Sequence, residues 1–209
     1  MRRVLLSILP AVLLGLAVPS RADDKIPEGF VEQVLEPTGG KLLRPKDWFF
    51  RESHRETAFM WTVSKEDTKD GSASYETGVR IQVFPKVLER TTLTAEEQAR
   101  KFLAEKKKAA AKIHREFPLQ EQDLFSRLGL ESEEGKYHIM YSIFWSNKLD
   151  MLVVSISGTP SEEWDKYAET FNTMGAITLI DMERFKDKPD KEAAKSGEEG
   201  EKEKKAEKP

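Results

Sequence analysis

Apolar and polar residues alternate along four stretches of the chain. In residues 58–63, Phe59, Trp61 and Val63 share one face, with Met60 and Thr62 on the other. In residues 75–83, Val79, Ile81 and Val83 alternate with Arg80 and Gln82. Tyr137, Ile139, Tyr141, Ile143 and Trp145 form a longer run, and Leu152, Val154 and Ile156 alternate within residues 151–157. Successive side chains of a strand point to opposite faces, so each stretch predicts a strand with one face buried. Met140 and Phe144 add apolar groups to the second face of residues 137–145, which predicts a central strand covered on both sides. Shorter strand candidates are residues 41–44, ended by Pro45, residues 48–50, and residues 124–130, which lead into a polar turn at 131–135. Gly39-Gly40 and residues 146–148 read as turns, and residues 67–74 as a polar loop. Short connections between such runs predict antiparallel neighbours.

Two segments follow a helical period instead. Thr94 and Glu97 have the spacing of a capping box, in which each side chain satisfies the other residue's backbone amide. Ala99, Phe102, Leu103, Lys106, Ala110, Ile113 and Phe117 then recur at spacings of three and four, which predicts one helix stopped by Pro118. The second helix is predicted to start at Thr159-Pro160-Ser161-Glu162, with threonine as cap and proline at the first helical position. Trp164, Tyr167, Ala168, Phe171 and Met174 line one face, and Gly175 ends it.

The two ends of the chain break these patterns. Arg2 and Arg3 precede an almost unbroken apolar run over residues 4–18, and Ser20 and Ala22 supply the small residues that a signal peptidase accepts. The run is shorter than the about 20 apolar residues of a spanning helix. Residues 1–22 therefore read as a cleavable export signal, and the membrane is involved only through it. No cysteine follows the run, so a lipid-anchored form is excluded. From Lys186 to the end, eight lysines face eight acids with almost no apolar residue, which predicts a disordered charged tail over 186–209. Residues 23–185 remain for one folded domain, expected to be a monomer in the periplasm or outside the cell.

Removal of Arg2, Arg3 and Arg21 lowers Lys+Arg from 34 to 31 against 37 Asp+Glu, a formal charge near −6. That balance opposes a sequence-independent grip on nucleic acid. The absence of cysteine removes disulfides, thiolate metal sites and cysteine nucleophiles together.

The order of elements is itself informative. Pro45 and Trp48 precede a β-meander; a capped helix precedes the long strands around Ile139–Trp145; and T-P-S-E-E-W, Thr159 to Trp164, opens a closing helix with Phe171 below it. Over residues 40–179 this resembles the PsbP-like (Mog1/PsbP) domains and the small exported domains of unknown function related to them. The resemblance implies an α+β fold, an antiparallel β-sheet flanked by helices in a three-layer α/β/α sandwich of Mog1/PsbP type. It also implies a non-enzymatic accessory or assembly role with a protein or cell-envelope partner. No family binding residue maps onto this chain, and no cofactor is implied.

The chemistry-bearing residues are few. His54 lies near Glu52 and Glu56, as a metal ligand or general base would, or as a polar residue at a strand end. The spacing lacks a recognisable ligand pattern, which favours the strand end. His114 is expected on the first helix facing solvent, and His138 as a satisfied sheet histidine on the face of Met140. Residues 66–71 are acidic but lack the alternating ligands and distal glutamate of a calcium loop. No glycine-rich phosphate loop, G-x-S-x-G or H-E-x-x-H is present. Lys101, Lys108, Lys112 and Arg115 recur at seven, four and three residues, so on one helix they form a basic stripe for an anionic lipid, polymer or acidic partner, or an ordinary solvated face. Of the four tryptophans, Trp61, Trp145 and Trp164 read as core; Trp48, at a strand start after Pro45, is a candidate contact if part exposed, although burial is the favoured reading. Three functions fit: a non-catalytic binding module, a small-ligand carrier with a cavity lined by residues such as Phe59, Trp61 and Ile143, and a hydrolase using His54 or His138 with nearby acids.

Overall fold

The computed structural model describes residues 26–69 and 74–181. The expected export signal and charged tail lie outside the described residues, as do Asp70 and Gly71 of the acidic loop. Ten strands and three helices follow one another: β1 (Phe30–Leu35), β2 (Gly39–Pro45), β3 (Phe49–Glu52), β4 (Phe59–Ser64), β5 (Gly78–Pro85), α1 (Val87–Thr91), α2 (Ala95–Ala109), β6 (Lys112–Glu121), β7 (Ser126–Glu134), β8 (Tyr137–Ser146), β9 (Met151–Pro160), a 3₁₀ turn (Ser161–Glu163), α3 (Trp164–Met174) and β10 (Thr178–Ile180). Every pairing is antiparallel. A seven-stranded sheet runs β3-β4-β5-β9-β8-β7-β6, and a three-stranded sheet runs β1-β2-β10. The fold is α+β with antiparallel sheets, as expected.

Alternation along the strands divides the core in two. Val63, Val79, Ile81, Val83 and Val153 face α3 and the small sheet, where they meet Leu35, Leu42, Tyr167, Phe171 and Met174. Tyr141, Ile143, Trp145, Leu152 and Val154 face the other way, against Val87, Ala95, Ala99 and Leu103 of α1 and α2. β8 contributes to both clusters, with Met140 and Phe144 packed on the first. Burying one large apolar side chain stabilises by about 1.5–3 kcal/mol, so a strand that buries both faces anchors the sheet.

The capping box at α2 forms as the spacing predicts. Thr94 Oγ1 accepts from the amide of Glu97 at 3.2 Å, and Glu97 Oε2 accepts from the amide of Thr94 at 2.8 Å. The Thr94 amide and hydroxyl, which both donate to Glu97 Oε2, hold the Glu97 carboxyl below its ordinary range.

Four expectations are corrected. The first helix ends at Ala109, and residues 112–121 form β6. Lys106, Lys107 and Lys108 close the helix where its dipole favours cations. The unpaired edge of β7 then takes β6 as its hydrogen-bonding partner, a tertiary gain that overrides the helical spacing. Pro118 is tolerated there because it falls in a register shift of an edge strand, between Phe117 and Gln120, where no ladder donor is required. The polar turn narrows to Gly135 and Lys136, since Glu134 pairs with Tyr137; Gly135 has φ of 61°, as the first residue of a glycine-led two-residue hairpin turn requires. Thr159 and Pro160 end β9 rather than capping a helix, and Thr159 Oγ1 is buried 2.8 Å from Thr77 Oγ1. Gly39 and Gly40 open β2, and at Gly40 a side chain would lie 2.5 Å from the Thr178 and Leu179 carbonyl oxygens, so β10 approaches only because no side chain is there.

Candidate functional site

The expected site residues do not converge. Trp48 is buried, with 6% exposure, and packs edge-on against Tyr167 at 5.9 Å and Phe171 at 6.2 Å. Its carbonyl accepts from Arg44 Nη1 at 2.9 Å, so it closes the core rather than presenting a contact surface. His54 follows β3 and accepts from the amide of Met60 through Nδ1 at 3.3 Å, with its ring edge-on to Phe59 and Trp61. Glu52 Oε2 is 3.8 Å from His54 Nε2. His54 is the polar strand-end residue expected of it.

The basic stripe is dispersed. Lys101 and Lys108 are exposed on α2, whereas Lys112 and Arg115 stand on β6. Lys112 Nζ is 3.6 Å from Glu133 Oε1, and the Arg115 guanidinium lies 4.8 Å over the Phe117 ring. The expected carrier cavity is filled: Trp61 and Ile143, at 1% and 0% exposure, belong to clusters on opposite faces of the large sheet.

The structure instead brings together a group that the sequence scatters over twenty-five positions. His114, Glu133 and His138 each offer a ligand atom, and these atoms lie within 4.8 Å of one another; it is the one such group among the described residues. Register builds it. The tight hairpin sets Glu133 opposite His138, and Lys112 pairs with Glu133 from β6. His114 falls in a register shift of β6 between Ile113 and Arg115, and such a bulge re-aims a side chain. It brings the His114 ring over the same face, with Nε2 2.6 Å from Glu133 Oε1.

His138 is the buried member, at 5% exposure. Its Nε2 is 2.8 Å from Glu131 Oε1. The Trp164 indole stacks on it at 3.7 Å and 4°, and the His114 ring at 4.3 Å and 21°. Trp164 in turn meets Phe171, which ties the cluster to the core. Burial lowers the His138 pKa, against the opposing pull of Glu131. The His114 hydrogen bond lowers that of Glu133, helped by Lys112 and opposed by burial. His138 was legible as a satisfied sheet histidine. His114 was not, because its position depends on a bulge with no local signature.

On the opposite face Tyr141 donates to Glu134 Oε1, and Lys106 Nζ lies 3.5 Å from Glu134 Oε2. Burial raises the Tyr141 pKa far above the ordinary phenol range, and the neighbouring Glu134 adds to it. A shallow hollow of about 240 Å³ is lined by Tyr75, Glu76, Arg80, Tyr137, Ile139 and Ile156. Burial pushes the Tyr75 hydroxyl up to about 12, partly offset by Arg80. No helix among the described residues is long and apolar enough to cross a membrane.

These features define an antiparallel α+β domain with a histidine–carboxylate cluster at one end of its large sheet. No family model and no curated protein matches the sequence. Among solved structures, the fold is similar to cyanobacterial PsbP (CyanoP) from Synechocystis sp. PCC 6803, at 12% identity and a TM-score of 0.45 over 73% of this chain and 93% of that one. It is also similar to PA94, a protein of unknown function from Pseudomonas aeruginosa, at 11% identity and a TM-score of 0.36 over 73% of this chain and 96% of that one.

Proposed function

We propose that the chain is an exported, non-catalytic accessory module that binds a protein partner. The supporting observation is β6. It is a ten-residue strand paired on one side only, and nine of its residues are exposed. Two of the five large hydrophobic side chains exposed among the described residues, Ile113 and Leu119, stand on it. Lys112 precedes Ile113 and Arg115 follows it by two residues, so the strand carries both apolar and cationic groups. That mixture suits a protein surface carrying apolar and acidic side chains. The partner is read as contacting side chains of the strand.

The test is affinity capture from a cell-envelope extract with the purified chain, compared with the variant Ile113→Asp plus Leu119→Asp. The wild-type chain is expected to retain a partner that the variant releases, with circular dichroism showing both folded. Equal recovery by both chains, or none by a folded wild-type chain, refutes the proposal.

A further inference from the structure

We infer that His114, Glu133 and His138 bind one divalent transition-metal ion of zinc-like chemistry. Two imidazoles and one carboxylate are a donor set that zinc takes, with a fourth position left for water or another ligand. Bonds of about 2.0–2.2 Å in a tetrahedral arrangement put neighbouring ligand atoms roughly 3.4 Å apart. The three atoms here lie within 4.8 Å of one another, so the widest pair closes by at most roughly 1.4 Å.

The surroundings show how that closure happens. Stacked rings 4.3 Å apart cannot both hold one ion in their planes, so one ring must turn. His138 is fixed by Trp164 and Glu131. His114 stands in a bulge of the edge strand with its side chain one-quarter exposed, and is the ring with room to turn. Lys112, 3.6 Å from Glu133, is displaced when the ion arrives, and its exposed side chain can swing to solvent at little cost.

The test uses tag-free purified chain and zinc ion alone, by isothermal titration and by Trp164 emission, which should respond because its indole rests on His138. One zinc per chain is expected, with a rise in melting temperature that follows zinc concentration. His114→Ala and Glu133→Gln should each weaken binding by about tenfold or more, and His54→Ala should leave it unchanged. Magnesium, which prefers oxygen ligands, should not compete. His138→Ala risks the fold, so the inference rests on His114→Ala, whose ring is at the sheet edge. Absence of zinc binding by the folded chain, wild-type affinity in His114→Ala, equal loss in His54→Ala, or equal competition by magnesium would each overturn it.

Discussion

β8 and β6 are both ten residues long, belong to one sheet, and are separated by a single strand, yet they obey different rules. β8 is paired on both sides and packs apolar groups on both faces. β6 is paired on one side, exposes nine residues, and changes register twice. The buried strand is regular because every departure would open a cavity or strand a backbone group. The edge strand is relieved of those constraints, so it can bulge, hold a proline and carry histidine and lysine. Stability resides in the first, while the second carries His114 and the exposed side chains; of the three proposed metal ligands only His138 stands on the buried strand.

Substitutions can break or sharpen that contrast. Ile143→Ala on β8 removes a fully buried side chain between α2 and the sheet. It should cost about 2–5 kcal/mol, read as a lower denaturation midpoint. Gly129→Ala lies between the two strands: its new methyl group would sit 2.9 Å from the Phe117 ring and from the Tyr141 carbonyl oxygen. A loss of about 1–3 kcal/mol is expected, reduced when Phe117→Ala is added, since the edge side chain then gives way.

A third test uses pH. The Tyr141 pKa is raised in the folded state, first by burial and then by Glu134. An unfolded tyrosine ionises near its ordinary value, about 10, while the folded one keeps its proton. Its contribution is complete below that pH and is lost as pH rises above it. Melting temperature should therefore fall more steeply on the alkaline side in the wild type than in Tyr141→Phe. The smallest effect belongs to β6: Ile113→Ser should move stability by less than about 0.5 kcal/mol, because that side chain is 42% exposed. A larger loss would show that the edge strand is structural after all.

The same contrast decides what was legible in the sequence. Tyr137 to Trp145 could be read as a central strand because burial of both faces writes itself as parity. Thr94 and Glu97 could be read because a capping box is local. The pattern in residues 99–117 matched a helix by spacing alone. Ile113 and Phe117 were never constrained by a buried helical face, so their spacing had no structural cause. Thr159-Pro160 misled for a related reason: the cap signature is local, but partners on Tyr137 and His138 held those residues in the sheet. β10 was not legible because its pairing with β2 depends on residues far away in the chain, and β1, although joined to β2 by a short turn, carries no strict alternation in Phe30–Leu35. The histidine cluster combines both difficulties, a cross-strand register and a bulge.

The two register shifts in β6 also bear on how copies of the chain behave toward one another. An exposed, regular strand edge offers evenly spaced amides and carbonyls that a second copy can continue, one sheet extending the next without limit. Here the breaks at His114 and at Pro118-Leu119 leave only short regular stretches along the edge, and Pro118 has no amide to donate. The far edge of the same sheet, β3, is only four residues long. Neither border of the large sheet offers a regular template for open-ended stacking, while β6 keeps its side chains on display.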